Sequence, residues 1–412
     1  MGKLYTLIVR LAGCLIWPGA LFSSKLKAWR DGRKQFPTPV PGLNQPVWIH
    51  CASLGEFEQA RPLLEAIRSE LHWPVLLSFF SPSGYLVRKD YPGAEQVIYL
   101  PLDTPENARQ FFDLFQPRMA IMVKYDLWFN HLRACQTRNI PLLLISAHFS
   151  PDYWIFKRWA TWFRTILFRF DAIFVQERAS QKVLKDKGYF NAFLAGDTRV
   201  DRVLHLPEES RQLPVLEEFA GAHPILIAGS TWPKDEILLA RIVPGLIREG
   251  WKIVLVPHDV GAQHISSILQ LLKANNPTLI SQFQHGHSTD ILVVDQIGML
   301  AYLYRYASVV YIGGGFGAGI HNTLEPMAYG KPVLFGPRYR RFPEAVFLVE
   351  SGAGAAVQDM ESLLGSIQSL SIARTRQEVA GKIEGYLKKH QGATATIIEY
   401  IRSAWKTTNS SS

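Results

Sequence analysis

Residues 308–326 read SVVYIGGGFGAGIHNTLEP: a short apolar run, five glycines within seven positions, and then a pattern that can begin a helix. A buried strand that passes through a glycine-rich turn into a helix is typical of a doubly wound α/β sheet. Closely spaced glycines let backbone N–H groups approach a phosphate, and a helix start favours an anion. We therefore predict a nucleotide-sugar site here, with Gly315 in the cradle and Glu325 accepting the hydroxyls of a ribose.

Similar apolar runs occur in two successive blocks, each separated by stretches with helical spacing of apolar residues. The runs of the first block are 47–50, 75–80, 119–123, 141–146 and 171–175. Those of the second block are 224–229, 251–257, 291–295, 308–312 and 332–336. Such runs indicate buried parallel strands. The pattern predicts an α/β protein with two doubly wound, Rossmann-like sheets that face a central cleft.

The domain boundaries follow from the proline-containing, acidic segment 203–222, which we interpret as a linker. We predict an N-terminal membrane-associated segment over 1–35 and a first Rossmann-like domain, for the acceptor, over 36–205. A second Rossmann-like domain with terminal helices, for the nucleotide sugar, is expected over 206–400, followed by a flexible tail over 401–412.

Composition narrows the class of protein. The chain has 412 residues, of which 48% are hydrophobic and 19% charged, as in globular proteins large enough for two cores. The net charge of +9 favours anionic partners. Zinc-finger spacings, RNA-binding signatures and dense basic runs are absent from the sequence, so nucleic acid is not expected as a partner. The three cysteines are scattered, which indicates a reducing compartment.

The N-terminal stretch LYTLIVRLAGCLIWPGALF, residues 4–22, carries one charge and is followed by the basic stretch KLKAWRDGRK at 25–34. Its length is at the lower limit for crossing a bilayer. We favour a helix that spans the membrane or lies on it, with the basic residues on anionic headgroups and the body of the protein in the cytoplasm. A cleaved signal peptide and a helix packed on the domain are the alternatives.

In the first block, two strand ends carry candidate catalytic residues. Ser53, Gly55 and Glu56 follow the run at 47–50. A carboxylate at this position can act as a general base, or it can simply complement the helix dipole. Lys124 and Asp126 follow the run at 119–123 and can hold a phosphate and orient an acceptor hydroxyl, or they can be a solvated strand end.

The second block has three further strand ends with polar residues. They are Ser230 and Thr231, Pro257 and His258, and the segment from Asp295 through Ile297 to Gly298. All are expected to face the glycine-rich stretch. The twelve histidines show no compact metal-ligand spacing, and no P-loop or first-strand dinucleotide fingerprint is found, so neither a metal nor a cofactor is expected.

Together these motifs resemble those of the 3-deoxy-D-manno-octulosonic acid (Kdo) transferase family. The segments that carry the resemblance, in order, are HCASLGE, KYDLWFN, AGDTRVDRV, AGST, VPH, VDQIGML and GGGFGAGIHNTLEP. The resemblance implies a GT-B glycosyltransferase fold, a CMP-Kdo donor and a lipid A precursor (lipid IVA) as acceptor. It also implies association with the cytoplasmic side of the inner membrane, in lipopolysaccharide biosynthesis.

The family's functional residues can be carried over where the motifs match. Glu56 matches the family's catalytic base, which activates an acceptor hydroxyl for inverting displacement of CMP, and Asp126 matches one acid of a two-acid motif. The positions implied to bind the cytidine nucleotide are Ser230, Thr231, Ile297, Gly298, Asn322 and Glu325. The chain departs from the family at Lys124, Phe129, His148 and His258, which are positions of the acceptor contacts and of the phosphate contact.

Two other functions remain open from the sequence. One is a nucleotide-sugar epimerase with the same fold, which would act on a UDP-sugar without an acceptor. The other is a non-catalytic, membrane-bound nucleotide-sugar-binding protein, which the substitutions at Lys124 and His258 would permit.

Overall fold

The computed structural model describes residues 2–208 and 213–409. Contacts within the chain define two compact units, the first formed by residues 1–201 together with 390–412 and the second by residues 202–389. The predicted linker, 203–222, includes four residues outside the described ranges, and its end is a helix at Pro214–Ala220.

The first unit contains a seven-stranded parallel sheet in the order β3-β2-β1-β4-β5-β6-β7. Its strands are β1 Val47–Cys51, β2 Val75–Phe79, β3 Gln96–Tyr99, β4 Met119–Val123, β5 Leu142–Ala147, β6 Ala172–Val175 and β7 Ala192–Leu194. Its helices are α1 Gly2–Gly19, α2 Ser24–Asp31, α3 Leu54–Ala66, α4 Pro82–Arg88, α5 Pro105–Phe115, α6 Phe129–Thr137, α7 Thr161–Leu167, α8 Arg178–Asp186 and α9 Thr198–Leu204. The central strands are buried along their whole length, as expected of a parallel sheet covered on both faces.

The second unit repeats this architecture with a parallel sheet in the order β10-β11-β9-β8-β12-β13-β14. Its strands are β8 Ile225–Thr231, β9 Lys252–Pro257, β10 Thr278–Leu279, β11 Ile291–Val293, β12 Val309–Ile312, β13 Val333–Phe335 and β14 Gly354–Ala356. Its helices are α10 Pro214–Ala220, α11 Pro233–Arg248, α12 Ala262–Leu271, α13 Leu300–Leu303, α14 Leu324–Ala328, α15 Pro343–Ser351, α16 Met360–Ser371 and α17 Ala373–His390. The prediction of an α/β protein with two parallel sheets is therefore confirmed.

All ten predicted strands are present, but four strands were missed. They are β3, β7, β10 and β14, and each lies at an edge of its sheet. Edge strands are short and do not need a continuous apolar run, because only one side is paired to a neighbour. The sequence QVIY of β3 and the two residues of β10 carry too little apolar pattern to be recognised.

The last helix, α18 Ala393–Asn409, belongs to the first unit. Its side chains Ile397, Ile398 and Ile401 are buried in the same hydrophobic cluster as α3 and one face of the first sheet. This corrects two predictions: residues 390–400 are not part of the second unit, and residues 401–409 are helical rather than a flexible tail. Residues 410–412 lie outside the described ranges.

The N-terminal helices also belong to the first unit, since α1 is fixed to it by polar contacts. Tyr5 donates a hydrogen bond of 2.7 Å from its hydroxyl to Asp103 Oδ2, and Arg10 forms an ion pair of 2.8 Å with Glu106. The opposite side of α1 exposes between 51% and 72% of each of five apolar side chains, at Leu4, Leu7, Ile8, Leu11 and Leu15. Within residues 2–208 and 213–409, no helix is both long enough and apolar enough to cross a bilayer.

One residue of the basic stretch after α1, Arg33, does not lie where we predicted. Arg33 lies largely inside the unit, where its Nε donates 2.9 Å to Leu100 O and its Nη2 donates 2.7 Å to Phe80 O. Burial lowers the pKa of the Arg33 guanidinium to about 9. Because its donors are engaged by backbone carbonyls, Arg33 is not the headgroup contact that we expected.

Each sheet has one topological switch point, where the chain reverses its direction of winding. In the first unit it lies between β1 and β4, and in the second between β8 and β12. Ligands of doubly wound sheets bind beyond the carboxyl ends of the strands at this point. In the first unit we therefore expect ligand contacts from the residues after Cys51 and Val123. In the second unit we expect them from the residues after Thr231 and Ile312.

Candidate active site

At the switch point of the first unit, two carboxylates meet on one backbone N–H. The N–H of Ala52, directly after β1, lies 2.5 Å from Glu56 Oε2 and 3.1 Å from Asp126 Oδ2. Glu56 is in the first turn of α3, and Asp126 follows β4. The structure thus brings together the two predicted catalytic residues, which are 70 positions apart in the chain.

Both carboxyl groups contact the same N–H, so they lie close together. Two negative charges that are this close disfavour each other, and the titration of each group therefore depends on the other. Burial raises the pKa of Glu56, although the Ala52 N–H and the charge of Lys124 oppose that rise. Burial and the charge of Glu56 hold the pKa of Asp126 well above its ordinary range. Of the two, Asp126 shows the larger rise, so we assign to Asp126 the proton that the pair binds more tightly.

Lys124 lies in the left-handed backbone region, with φ of 59°. Its charge acts on Glu56 and also on Asp197. Burial would raise the pKa of Asp197, but Arg199 outweighs it through its charge and its hydrogen bonds, the shortest 2.6 Å from Nη2 to Oδ2, and the pKa is lowered. The departure from the family motif at Lys124 therefore places a cation beside the pair. Sequence reasoning quoted AGDTRVDRV only for its resemblance and gave Asp197 and Arg199 no role.

His50, on β1, is a further residue that sequence reasoning missed. It is completely buried, and its Nε2 lies 3.5 Å from Asp126 Oδ2. Its Nδ1 lies 2.8 Å from Ser78 Oγ, which also accepts a hydrogen bond of 2.8 Å from Trp48 Nε1. Burial, with the nearby charges of His131 and Arg33, lowers the pKa of His50 well below its usual range, so the ring is neutral.

The acceptor-side predictions Ser53 and Gly55 lie at the start of α3. Ser53 is the N-cap residue, and its side chain makes no capping hydrogen bond. A Cβ added to Gly55 would meet no atom within 4 Å, so the space above this turn is open. Both residues lie next to Glu56, as predicted, and their contact with an acceptor stays a prediction.

Two of the positions at which the chain departs from the family are Phe129 and His148. Asn130, which follows Phe129, and His148 itself both have partners within the structure. Asn130, next to Phe129, is buried, and its backbone N–H donates 3.0 Å to Asp103 Oδ2 while its side chain reaches Thr6 of α1. His148 Nδ1 lies 3.1 Å from Glu177 Oε1. Neither residue contacts the carboxylate pair in the described structure.

In the second unit, the glycine-rich stretch is held by the protein itself. The N–H of Gly313 donates 2.9 Å to Gly229 O, and that of Gly314 donates 2.9 Å to the buried Asp235 Oδ2. The N–H groups of Gly317 and Gly319 both donate to Gly314 O. In the described structure these four amides are therefore hydrogen-bonded within the protein.

The glycines are needed for close packing of backbones. A Cβ on Gly313 would lie 2.3 Å from Ser230 O, and one on Gly315 would lie 2.6 Å from the backbone of Gly336. Gly314 has φ of 90°, which glycine adopts without strain. The helix that follows, α14, has only five residues, so its dipole is that of little more than one turn. A phosphate contact of Gly315 stays a prediction.

Arg338 and Arg341 follow β13 and donate hydrogen bonds to carbonyl groups of the glycine-rich stretch. We did not predict these two residues from the sequence. Arg338 Nη1 donates 2.5 Å to Gly317 O, and Arg341 Nη2 donates to Ala318 O. Both side chains are exposed, and a guanidinium group has five N–H donors. The basic run PRYRRF after the predicted strand was the available signal.

Three aromatic rings stack at the carboxyl ends of β8 and β9. His258 lies between Trp232 and His321, at centroid distances of 4.7 and 4.6 Å. Trp232 Nε1 donates 2.8 Å to His321 Nε2, and burial together with the charge of His258 lowers the pKa of His321 to about 4. The structure thus brings the predicted residue His258 to the glycine-rich stretch, whereas Pro257 is buried at the end of β9.

Other predicted nucleotide residues lie at the same edge of the second sheet. Ser230 has φ of 53°, and the fully buried Thr231 donates 3.1 Å from its hydroxyl to Glu236 Oε1. Ile297 is 87% exposed, in the loop that contains Gly298, after β11. Their contact with a ligand stays a prediction.

Asn322 and Glu325 contact each other directly. Asn322 Nδ2 donates 3.0 Å to Glu325 Oε1, and its Oδ1 accepts the N–H of Leu324. This bond orients the carboxylate that we expect to receive ribose hydroxyls. The hydroxyl of Tyr304 is fully buried, and burial together with the charge of Glu325 raises its pKa well above the usual range.

The described ranges contain no group of three or more His, Cys, Asp or Glu side chains that could hold a metal ion. The expectation that the reaction uses neither metal nor cofactor stays a prediction.

Comparison with known proteins connects this geometry to a family. Residues 25–202 match the family model described as 3-Deoxy-D-manno-octulosonic-acid transferase (kdotransferase), and this range includes both carboxylates of the pair. The chain is 28% identical to a 3-deoxy-D-manno-octulosonic acid transferase of Bordetella pertussis over 97% of this chain and 99% of the relative. It is 24% identical to one of Aquifex aeolicus over 83% of this chain and 92% of the relative.

Over nearly its whole length the chain is similar to Kdo transferases.

These relatives are named Kdo transferases, and the similarity identifies the chain as a glycosyltransferase. Solved structures with a similar fold include a putative UDP-N-acetylglucosamine 2-epimerase from Listeria monocytogenes, at 14% identity and a TM-score of 0.61, covering 89% of this chain and 97% of that one. The UDP-GlcNAc 2-epimerase from Neisseria meningitidis, bound to UDP-GlcNAc, also has a TM-score of 0.61 at 14% identity, covering 87% of this chain and all of that one. At this identity the likeness shows a shared GT-B-like fold and not a shared reaction.

Proposed function

We propose that this chain moves Kdo from CMP-Kdo to a hydroxyl group of the lipid A precursor lipid IVA, by direct displacement with inversion. The first unit supplies the base and binds the acceptor, and the second binds the nucleotide sugar. The observation that carries the proposal is the pair formed by Glu56 and Asp126 on the Ala52 N–H, at the switch point of the first sheet.

In the proposed step, Glu56 takes the proton from the acceptor hydroxyl while its oxygen bonds to the anomeric carbon of Kdo. The bond from that carbon to the phosphate oxygen breaks at the same time, and CMP leaves with the electron pair. Asp126 keeps the proton of the coupled pair, so that Glu56 begins each turnover as a carboxylate. A base whose pKa is raised toward the working pH is suited to this transfer.

The donor side is supported by charge and by an oriented carboxylate. Glu325, held by Asn322, is placed to accept hydroxyl hydrogens of the ribose. Arg338 and Arg341 bring two cations to the glycine-rich stretch, where they can meet the phosphate and the carboxylate of CMP-Kdo. They compensate for the cation that the family has at His258.

The apolar side of α1 supports a membrane surface as a partner. The five exposed side chains from Leu4 to Leu15 recur at helical spacing, and Phe22 just beyond α1 is 91% exposed. A helix with such a face, flanked by Lys25 and Lys27, suits the interface of an anionic bilayer. We infer that the first unit lies on the cytoplasmic side of the inner membrane, where the acyl chains of lipid IVA remain in the lipid.

The decisive experiment incubates the purified chain with CMP-Kdo and lipid IVA and follows both by mass spectrometry. A lipid product heavier by one or more Kdo residues, formed together with free CMP, supports the proposal. Absence of any heavier lipid, under conditions in which a known Kdo transferase gives product, contradicts it.

The epimerase-like fold makes one alternative specific enough to test. An epimerase would convert a UDP-sugar without an acceptor, and the neighbours with that activity have TM-scores of 0.61 to this chain. Incubation with UDP-GlcNAc alone separates the two functions, because only the alternative predicts a sugar epimer. A nucleotide-sugar-binding protein without catalysis would bind CMP-Kdo and release no CMP with any lipid acceptor.

A further inference from the structure

The buried residues behind the carboxylate pair form a line of polar atoms that leads from Trp48 to Glu56. Trp48 and His50 lie on the same face of β1, and the strand register places Ser78 of β2 directly opposite His50. All three side chains are completely buried. Because water does not reach them, their hydrogen atoms must be shared among the atoms present.

The direction of this line follows from the chemistry of its first member. The indole N–H of Trp48 can only donate, so Ser78 Oγ is an acceptor in the bond of 2.8 Å between them. The hydroxyl hydrogen of Ser78 is then free to point to His50 Nδ1, 2.8 Å away. A neutral imidazole that accepts at Nδ1 carries its hydrogen on Nε2.

The hydrogen on Nε2 points at the catalytic pair. His50 Nε2 lies 3.5 Å from Asp126 Oδ2, and it has no hydrogen-bond partner within the described residues. This distance is longer than a hydrogen bond, as is common for catalytic contacts in a site without substrate. An N–H at this position faces Asp126 Oδ2, the oxygen that also lies 3.1 Å from the Ala52 nitrogen.

We propose that His50 is a positioning residue whose Nε2–H, fixed by Ser78 and Trp48, directs the proton of Asp126 toward Glu56. With a hydrogen on Nε2, His50 offers Asp126 no acceptor, so the carboxyl proton of Asp126 must point to the Glu56 carboxylate. With the opposite tautomer, the Nε2 lone pair would draw that proton away, and Glu56 would lose a donor. The inference rests on the proposed role of Glu56 as the base.

Other titratable groups act on the same network, and all of them except His131 are the same in every variant. They are Arg33 after α2, Glu56 in α3, His131 in α6, and Lys124 and Asp126 after β4. Of these, His131 provides a matched control. It is also completely buried, with Nδ1 at 2.6 Å from Asp103 Oδ1, and its contacts do not include the pair.

The first test is His50→Gln against His50→Leu, with His131→Gln as the control. The Gln amide nitrogen is as many bonds from Cα as His Nε2, so it restores an N–H toward Asp126, whereas Leu does not. Removing a donor raises the pH at which the pair takes up a proton. We expect the acid limb of kcat/KM in His50→Leu to move up by about one pH unit, with kcat about tenfold lower.

His50→Gln should keep the acid limb within about 0.3 unit of the parent chain, and His131→Gln should leave it unchanged. Circular dichroism and the midpoint of urea unfolding report that each variant is folded. An acid limb that is the same in all three variants would overturn the proposal, because a purely structural histidine changes the amount of active protein and not its titration.

The second test does not require a variant to be active or Kdo transfer to occur. Long-range ¹H–¹⁵N NMR of the chain labelled at histidine distinguishes a protonated from an unprotonated ring nitrogen, and His50→Gln identifies the signals. We expect His50 to be protonated at Nε2 and not at Nδ1, and the opposite tautomer would overturn the proposal. If the parent chain has this tautomer but transfers no Kdo, the proposed function fails while the positioning of the proton stands.

Discussion

Glu56 and Asp126 accept the same backbone N–H, that of Ala52, at 2.5 and 3.1 Å. Both carboxyl groups therefore depend on this one donor, and burial together with the charge of Glu56 raises the pKa of Asp126. The winding of the sheet creates this arrangement, because β1 and β4 are neighbours although they are distant in the chain. Each carboxylate therefore acts in a way that depends on the other.

Glu56→Gln should abolish transfer while preserving the donor site. An amide cannot take a proton from the acceptor hydroxyl, and loss of a general base costs about 10²–10⁴-fold in rate. We expect kcat to fall by that factor, while the affinity for CMP, measured by calorimetry, changes by less than about twofold. Transfer at the parental rate by Glu56→Gln would remove Glu56 from the role of base.

Asp126→Asn should increase stability, and by more at neutral than at acidic pH. The pKa of Asp126 is raised in the folded chain, so the folded state keeps a proton that the unfolded state releases above about pH 4. The stability contribution is therefore present below that pH and is lost as the pH rises toward the folded pKa. Asn does not titrate, so the free energy of unfolding of Asp126→Asn, relative to that of the parent, should increase from about pH 4 to about pH 7.

Urea unfolding at a series of pH values measures this difference. Asp113→Asn is a suitable control, since Asp113 is exposed and forms an ion pair with Arg138 at the surface. If the difference between Asp126→Asn and the parent is constant across the series, or shrinks toward neutral pH, the raised pKa of Asp126 is contradicted.

Arg341→Gln should weaken binding of the donor more than it slows the chemical step. A hydrogen bond from a cation to a phosphate or carboxylate contributes about 1.5 kcal/mol, which corresponds to about tenfold in affinity. We therefore expect the KM for CMP-Kdo to rise about tenfold, with kcat changed by less than about threefold. Arg340→Gln provides the control, because Arg340 is exposed in the same loop. Equal effects of the two substitutions would show that general surface charge, and not the contact with the glycine-rich stretch, is responsible.

Ile8→Glu should reduce binding to membranes. Ile8 lies in the exposed apolar face of α1, and a charge there opposes insertion into the lipid interface. Ile372, in the second unit, has the same exposed fraction, 57%, and Ile372→Glu is the matched control. Flotation with vesicles that contain anionic lipid should show about tenfold weaker binding for Ile8→Glu and no change for Ile372→Glu. If both variants float like the parent chain, α1 is not the membrane contact.

Strand ends were the most predictable part of the site. Apolar runs fix where parallel strands end, and the carboxyl ends of such strands lie along one edge of a sheet, so Glu56 and Asp126 could be placed together. The sequence also placed His258 and Asn322 at the edge where the glycine-rich stretch lies. These predictions depend only on local pattern and on the regular geometry of α/β folds.

Contacts between distant parts of the chain could not be predicted in this way. Gly313 and Gly314 give their N–H groups to Gly229 and Asp235, which no local pattern indicates. Arg33 looked like a membrane contact because it lies in a basic run, but carbonyls at the ends of β2 and β3 engage it. His50 was hidden within a strand, where a buried polar residue resembles any other core position until its partner on the neighbouring strand is known.

The return of α18 to the first unit has a consequence for biosynthesis. Ile397, Ile398 and Ile401 complete a core whose other members all precede residue 202. A ribosome adds about 5–20 residues per second, so residues 202–389 take about 10–40 s to make after the first sheet has emerged. For that time a nascent chain carries an apolar surface on α3 that its own sequence cannot yet cover. Chaperone binding at this surface is expected during translation, and a ribosome stalled before codon 393 would leave the catalytic unit unfinished even though both of its carboxylates had been made.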